Sequence, residues 1–169
     1  MERIRIEGER LTLRPLRVEE LDAMMAARAA AKPDREKLRA RIERSGLLVD
    51  GAIDLAIDID GVRVGEIQTY VPPERELPPG AYELGITIDD PSLRGRGYGG
   101  EAVRLFVDWL FDAREATSVA LGTVESNTAM RTVAERLGFV ADGVVASQGT
   151  EYVYYVLMRD AWQARRRSR

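Results

Sequence analysis

The segment Arg94-Gly95-Arg96-Gly97-Tyr98-Gly99-Gly100 stands between a strand-like stretch, Tyr82 to Ile88, and an amphipathic stretch typical of a helix, Gly97 to about Ala113. Its glycines let successive backbone N–H groups converge without side-chain clashes. The first turn of the helix adds unpaired N–H donors at the positive end of its dipole, and two arginines add positive charge. The segment therefore predicts a binding site for a phosphate or pyrophosphate. The alternative is a flexible turn that needs glycine only for its positive φ.

The stretches around this segment show strand and helix patterns in turn. Asp60-Gly61, between two strand-like runs, favours the type I′ turn of a hairpin. Because the patterns do not alternate strictly, we expect an α/β fold with a mixed, largely antiparallel sheet flanked by helices, in one domain over residues 1–169. An opening strand or hairpin is predicted from Ile4 to Leu16. Further strands are predicted at Ile53–Ile59, Val62–Val71, Tyr82–Ile88, Ser118–Val124, Phe139–Val145 and Glu151–Met158. Helices are predicted at Val18–Ala31, Arg35–Arg44, Gly97–Ala113 and between an Asn127 cap and Gly138.

The composition excludes several classes of active site. The 169 residues are 45% hydrophobic and 31% charged, and they include neither cysteine nor histidine. Cysteine nucleophiles, Ser-His-Asp triads and Cys/His zinc sites are therefore impossible. No spaced acidic loop of the EF-hand kind is found, so we expect no metal. The chemistry has to use carboxylates, hydroxyls, amines, the backbone or a bound cosubstrate.

Charge and hydropathy indicate which partners and which cellular location to expect. The formal net charge of -3 argues against nucleic acid as the main ligand. The stretch Met1–Ile6 lacks the apolar core of a signal peptide, and the longest apolar stretches are interrupted by charged residues or glycine. We therefore expect a soluble, cytoplasmic protein with no membrane partner. The basic tail formed by Arg165, Arg166, Arg167 and Arg169 is expected to be a solvated, frayed terminus.

Gly95, Gly97 and Gly100 also match the GxGxxG fingerprint of dinucleotide-binding folds. In that fold the strand turns tightly into the glycines, whereas residues 89–93 intervene here. No acidic residue ends a second parallel strand about 20 residues further on. A nucleotide-dependent oxidoreductase is therefore only the third hypothesis.

Arg94, Gly97 and Gly99 fill the pattern Arg/Gln-x-x-Gly-x-Gly/Ala, placed after a strand. With this pattern and its surroundings, the chain resembles the GNAT superfamily of acyl-CoA-dependent N-acyltransferases over nearly its whole length. Within the superfamily it resembles the ribosomal-protein N-terminal acetyltransferase (Rim-type) branch. The further matching pieces are Leu11-Thr12-Leu13-Arg14-Pro15-Leu16, Glu83-Leu84-Gly85, Asp90-Pro91, Asn127, Leu137-Gly138-Phe139 and Tyr154 to Trp162.

The resemblance implies the GNAT fold, acetyl-CoA as cosubstrate and a primary amine as acceptor, either a protein or peptide N-terminus or a small molecule. It implies that the strand residues Ile86, Thr87 and Ile88 lie beside the pantetheine arm. The turn of Arg94, Gly95, Arg96, Gly97, Tyr98, Gly99 and Gly100 would take the pyrophosphate, and Asn127 would approach the pantetheine or the sulfur. A homodimer that shares an acceptor cleft is a further expectation.

Acyl transfer to an amine needs a base that removes the amine's proton, directly or through water. Glu83 is the first candidate, since it matches the frequent acidic position of the family on this strand. An ordinary solvent-facing strand glutamate is the alternative. Glu66 on the preceding strand is second, and Glu151 at the entry of the last strand is third. Four carboxylates favour a cationic amine at the acceptor side, namely Glu66, Glu83, Asp89 and Asp90.

The chain departs from the family at the proton donor for the leaving sulfur. Many members carry a tyrosine where this chain has Ala134, and this branch often carries a serine where it has Met130. A thiol has an ordinary pKa near 8.5, so we expect slower transfer rather than none. Water, Tyr152 or Tyr154 can take the donor's place. The same departure is expected of a non-catalytic acyl-CoA-binding or regulatory domain, which is the alternative function.

Overall fold

The computed structural model describes residues 2–169, and eight strands in this range form one sheet. Its order is β1-β2-β3-β4-β5-β6-β8-β7, and all neighbours are antiparallel except β5 and β6. The predicted class, a mixed and largely antiparallel sheet with helices, is confirmed. The strands are β1 Ile6–Glu7, β2 Thr12–Arg14, β3 Ile53–Ile59, β4 Val62–Tyr70, β5 Ala81–Ile88, β6 Ser118–Val124, β7 Val140–Ser147 and β8 Thr150–Met158.

Helices cover both faces of the sheet because the strands alternate their side chains between two cores. In β3, Leu55 and Ile57 belong to the larger core, which includes α3, while Ala56 belongs to a smaller core with α1 and α2. Among residues 2–169 no helix has the length and apolar character needed to span a membrane. The helices are α1 Leu21–Ala27, α2 Arg35–Arg44, α3 Tyr98–Ala113, α4 Thr128–Leu137 and α5 Arg159–Arg167.

The parallel pair β5 and β6 is joined over only half of its length. Residues Ala81–Leu84 pair with Ser118–Leu121, and beyond Leu84 and Leu121 the two strands are no longer paired. The rest of β5, Gly85–Ile88, pairs only with β4 on its other side. Because backbone N–H and C=O groups need partners, the free edge of this segment offers hydrogen bonds to an added strand or ligand.

The hairpin prediction around Asp60-Gly61 is confirmed. Asp60 has a φ of 52° and Gly61 a φ of 87°, so both central residues have the positive φ that a type I′ turn requires. The opening hairpin is also present, as the short pair β1 and β2 with Ile6 opposite Leu13. Predicted strand ends differ from the observed ones by only one or two residues.

One predicted helix is wrong as a single element. The stretch Val18–Ala31 contains a 3₁₀ turn, then α1, then a second 3₁₀ turn at Ala29–Ala31. Arg28 leaves helical geometry with φ -111° and ψ 14°, and its guanidinium forms an ion pair with Glu66 on β4. This long-range ion pair accompanies the break in a stretch whose local pattern favours a continuous helix.

The basic tail is exposed as predicted, but as far as Arg167 it is helical rather than frayed. The helix α5 follows β8 directly, and its Trp162 is buried with Nε1 donating to Asp108 Oδ1 at 2.7 Å. Arg166 forms an ion pair with Asp112 at 2.6 Å. Asp108 and Asp112 of α3 therefore bind the last helix instead of facing only solvent.

We expect Trp162→Ala to lower the free energy of unfolding by about 3–5 kcal/mol, because it empties a buried site and leaves Asp108 without its donor. The ring also stacks on Phe111 with centroids 4.8 Å apart. Urea denaturation measures the change, with Arg167→Ala on the exposed side of the same helix as control. A loss below about 1 kcal/mol would show that α5 contributes little to the fold.

Candidate active site

A cavity of about 720 Å³ lies where β5 and β6 separate, between the end of β5, the glycine segment and the start of α4. Its lining includes apolar side chains and backbone, as is usual for sites that hold small organic ligands. Arg96 and Tyr98 were predicted with this group, but they do not line the cavity. The predicted residues that line it are Ile86, Thr87, Ile88, Arg94, Gly95, Gly97, Gly99, Gly100 and Asn127.

The glycine segment has the backbone shape of an anion cradle. Gly95 and Gly97 have φ values of 73° and 84°, in the left-handed region that favours glycine. Gly97 caps α3 without a side chain, so the N–H groups of the first helical turn stay open to a ligand. At Gly95 and Gly99 even an added Cβ would meet no atom within 4 Å. The cradle is therefore open to a phosphate.

Arg94 ties the cradle to the strand before it. Its Nε and Nη2 donate to the carbonyl oxygen of Ile88 at 3.2 and 3.0 Å. The side chain therefore fixes the end of β5 relative to the glycine segment. Its positive charge remains beside the cavity that both elements line.

Arg10 and Glu101 form a pair that supports the glycine segment. The sequence patterns did not reveal this pair. The Arg10 backbone N–H and Nε donate to the two oxygens of Glu101 at 2.9 and 2.8 Å. Arg10 Nη1 donates to the carbonyl oxygen of Arg96 at 3.0 Å, and the guanidinium lies over the Tyr98 ring. Arg96 and Tyr98 thus serve the cradle through Arg10 rather than by lining the cavity.

Glu101 is buried at the start of α3. Burial alone would raise the pKa of Glu101, but the hydrogen bonds and charge of Arg10 outweigh it and leave the pKa lowered. The carboxylate also lies near the positive end of the α3 dipole, where a negative charge is favoured. Its place among the few polar residues of α3, with Arg104, Asp108 and Asp112, was the only sequence signal for it.

The start of α4 forms the other wall of the cavity. Asn127 Oδ1 accepts from the Met130 N–H at 3.1 Å and caps the helix, as predicted. Met130 lines the cavity, while Ala134 is fully buried in the larger core. The two positions where the family often carries a proton donor therefore hold only apolar side chains.

Glu83 lies on the face of the sheet opposite α3 and the larger core, and it is 0% exposed. Its Oε1 accepts from the Tyr70 hydroxyl at 2.7 Å, and its Oε2 accepts from Arg75 Nε and Nη2 at 3.0 and 2.8 Å. Arg75 in turn lies 4.1 Å from the centroid of the Tyr154 ring. The alternative of a solvent-facing glutamate is wrong, because this carboxylate is buried and charge-paired.

The two tyrosines of this group are neutral over the physiological pH range. Burial and the hydrogen bond to Glu83 raise the pKa of Tyr70, and burial and Glu83 raise the pKa of Tyr154 to about 12. Both phenols therefore keep their protons at neutral pH, and either can donate one. Neither can act as a base there.

Glu66 is buried among arginines near α1 and α2. It forms ion pairs with Arg28 and with Arg41, the latter at 3.0 Å, and Arg63 lies 4.0 Å away. Opposite Glu66 on β5 is Thr87, whereas Glu83 is opposite Tyr70. The two carboxylates therefore share a face but lie four residues apart, roughly 13 Å along the strands.

The other carboxylates predicted for the acceptor side are also engaged. Asp89 forms an ion pair with Arg63 at 2.6 Å, and Asp90 Oδ1 accepts from the Ser92 N–H at 2.9 Å. Glu151, the third candidate base, is exposed at the start of β8. The face expected to be anionic is instead balanced by arginines. Within the same range, 2–169, no three acidic side chains are grouped so that they could hold a metal ion.

The chain is similar in sequence to known acetyltransferases. Residues 10–140 match the family model described as an acetyltransferase (GNAT) domain. An aminoglycoside N(6')-acetyltransferase type 1 from Serratia marcescens is 29% identical over 116 residues, covering 64% of this chain and 58% of that protein. The chain thus spans well under two thirds of the length of this curated relative.

Solved structures share the fold. The aminoglycoside acetyltransferase AAC(6')-Ib in complex with coenzyme A superimposes with a TM-score of 0.76 at 24% identity, over 92% of this chain and 99% of that one. A putative ribosomal-protein-serine acetyltransferase from Vibrio cholerae gives a TM-score of 0.70 at 17% identity, over 92% and 97%. Both kinds of acetyltransferase are therefore among the similar folds, and the Rim-type branch is not singled out.

We expect Glu101→Gln to destabilise the protein by about 1–3 kcal/mol at pH 7, because it removes the charge that Arg10 binds. The pKa of Glu101 is lower in the folded than in the unfolded chain. Its stabilisation is therefore present above the ordinary pKa of 4.5 and is lost as the pH falls through the folded value. Urea denaturation between pH 3 and 7 should show the gap to wild type closing at low pH. Glu43→Gln, on the exposed side of α2, serves as control, and a gap that stays constant with pH would contradict this role.

Proposed function

The chain belongs to the acetyltransferase (GNAT) family, and we propose that it transfers the acetyl group of acetyl-CoA directly to a primary amine. The observation that carries the proposal is the separation of β5 and β6 beside an open glycine cradle at the start of α3. No covalent acyl-enzyme is needed, and the chain has no cysteine to form one. One sheet extends from Ile6 to Met158, which supports a single catalytic domain over residues 1–169.

In this proposal the cavity residues divide the cosubstrate between them. The pyrophosphate is held by the N–H groups of the glycine cradle, since these donors and the helix dipole favour an anion. The pantetheine arm pairs with the free edge of Gly85–Ile88 as an added strand would. Backbone N–H groups of the same edge can stabilise the oxyanion that develops on the thioester carbonyl. Asn127, which lines the cavity, would approach the pantetheine or the sulfur.

Glu83 remains the first candidate for the base. Its position three residues before Ile86 is roughly 10 Å along the strand, so proton removal from the amine proceeds through water. For this, either Arg75 has to release Oε2 or Tyr70 has to release Oε1, since both carboxylate oxygens are engaged in the free protein. Glu66, held by its arginines, is the second candidate, and the exposed Glu151 is the third.

Tyr154 is the candidate proton donor for the leaving thiolate. Its phenol is neutral at physiological pH, with the pKa raised to about 12. Its ring lies against Gly122, the first residue of β6 beyond the paired part, where an added Cβ would meet Cζ at 2.8 Å. The ring is therefore close to the point where the sheet opens.

A small, cationic primary amine is the acceptor class that we favour. The curated relative at 29% identity is named as an aminoglycoside acetyltransferase, which supports a small-molecule amine. A protein or peptide N-terminus, the acceptor of the Rim-type branch, is the second candidate. A dimer with a shared acceptor cleft stays a prediction.

We expect Gly97→Val to weaken acetyl-CoA binding at least tenfold, because a β-branched residue disfavours the left-handed backbone of the cradle. Calorimetric titration with acetyl-CoA measures the dissociation constant. Gly143→Val is the control, since Gly143 also has a positive φ, 104°, but lies on β7. An added Cβ at Gly143 would meet no atom within 4 Å, whereas one at Gly97 would meet Arg10 Nη2 at 3.1 Å. Equal weakening in both variants, or in neither, would discredit the cradle.

We expect Glu83→Gln to keep the affinity for acetyl-CoA and to lower turnover at least tenfold, with a changed pH profile, because a base is lost. Thiol release from acetyl-CoA measures turnover across aminoglycosides, polyamines and short peptides. Unchanged turnover would remove Glu83 as the base and favour Glu66 or Glu151. If wild type binds acetyl-CoA but acetylates nothing in a broad panel, the non-catalytic binding domain becomes the better account.

A further inference from the structure

Glu83, Tyr70 and Tyr154 form a compartment on the face of the sheet opposite α3. We name this compartment the cation box. The Glu83 carboxylate is its fully buried floor, the Tyr70 hydroxyl donates to one of its oxygens, and the Tyr154 ring forms a wall. The guanidinium of Arg75 fills it, bound to the other oxygen and stacked on the ring. We propose that the box is a binding site for an alkylammonium or guanidinium group and that Arg75 is its internal occupant, displaced by the acceptor's cation.

The chemistry of the box selects a cation. A buried carboxylate that loses its partner is left as an uncompensated charge, which is strongly unfavourable. The box therefore favours a positive group, whether this is Arg75 or a ligand. The face of a tyrosine ring attracts ammonium and guanidinium ions, most strongly where water is excluded. A neutral or anionic ligand gains neither interaction.

Arg75 is the partner in this group that can leave. It belongs to the segment between β4 and β5, residues 71–80, which contains four prolines and no strand or helix. Its side chain is 25% exposed, whereas Glu83 is inaccessible. The buried Arg14, by contrast, is 2% exposed and bonds Asp58, Glu20 and the Pro15 carbonyl together. Arg75 thus covers the box from the solvent side, where an exchange of cations needs no change in the sheet.

The box lies where an acceptor would have to arrive. Glu83 precedes Leu84, the last β5 residue paired with β6, and Tyr154 lies over Gly122, just beyond the paired part of β6. The free edge of Gly85–Ile88 begins two residues after Glu83. A polyvalent amine with one cation in the box can therefore reach toward the thioester with another amino group. For such an acceptor Glu83 acts as the counter-ion, and the base is the second or third candidate, Glu66 or Glu151. This identification of the cation as the acceptor's rests on the proposed function, while the box itself does not.

Chemical rescue tests the box without acetyl-CoA. In Arg75→Ala the carboxylate loses its cation, so we expect a lower melting temperature than in wild type. Ethylammonium and ethylguanidinium chloride should then raise it saturably by about 3 °C or more relative to sodium chloride of equal ionic strength. Wild type should respond less, because Arg75 already fills the box. The double variant Arg75→Ala, Glu83→Gln should lose the response.

Arg166→Ala is the matched control. Arg166 also pairs with a carboxylate, Asp112, at 2.6 Å and lies 4.9 Å from the centroid of an aromatic ring, Trp162, but this pair is exposed. It should show no saturable response. If Arg75→Ala responds no more than Arg166→Ala, the box is not a cation site and the proposal is overturned. Should Arg75→Ala fail to fold, Arg75→Gln, with a side chain of closer length, carries the same comparison.

Kinetics then tests the displacement. With an amine that wild type acetylates, Arg75→Gln should lower the KM for that amine about tenfold and leave the KM for acetyl-CoA unchanged, since the internal competitor is gone. A purely structural Arg75 would lower kcat without lowering this KM, and that result would overturn the displacement. Rescue by cations without any acetylation would support the box and count against the proposed function. Acetylation without rescue would do the reverse.

Discussion

The cavity and its free backbone edge both exist because β5 separates from β6 beyond Leu84 and Leu121. A sheet that stayed paired to the end of β5 would leave no free backbone edge and no cavity. Because the pair separates, one face of the gap meets the cradle at the start of α3 and the wall of α4. The other face meets Glu83, Tyr70 and Arg75. An acyl donor and an amine can therefore approach the same point from opposite sides of the sheet.

Arginine side chains compensate the buried negative charges around this opening. The chain has 25 lysines and arginines together, and only Lys32 and Lys37 are lysines. In the fold, each buried acidic side chain near the opening is bound by arginine: Glu83 by Arg75, Glu101 by Arg10, and Glu66 by Arg28 and Arg41. The planar guanidinium suits this purpose, because it can bind two acceptors at fixed angles and still stack on a ring.

The features predicted from the sequence are those with local causes. Gly95 and Gly97 have the positive φ that their segment indicates, and Asp60-Gly61 forms its turn because both residues accept a left-handed backbone. Alternation along β5 placed Glu83 on one face. Its burial, however, depends on Arg75, eight residues away on an irregular segment, and on Tyr70 across the strand pair. Arg10 and Glu101 are 91 residues apart, so no local pattern joins them. The break at Arg28 likewise coincides with a partner on another strand.

In the proposed function the opened edge of β5 and the glycine cradle together hold acetyl-CoA. Amide hydrogen exchange with and without saturating acetyl-CoA tests it most directly, because unpaired backbone N–H groups exchange fast until a ligand accepts from them. Acetyl-CoA should slow exchange in residues 85–88 and 95–100, with β7 unchanged as an internal reference. Binding of acetyl-CoA that slows exchange elsewhere and leaves both of these segments unprotected would contradict it.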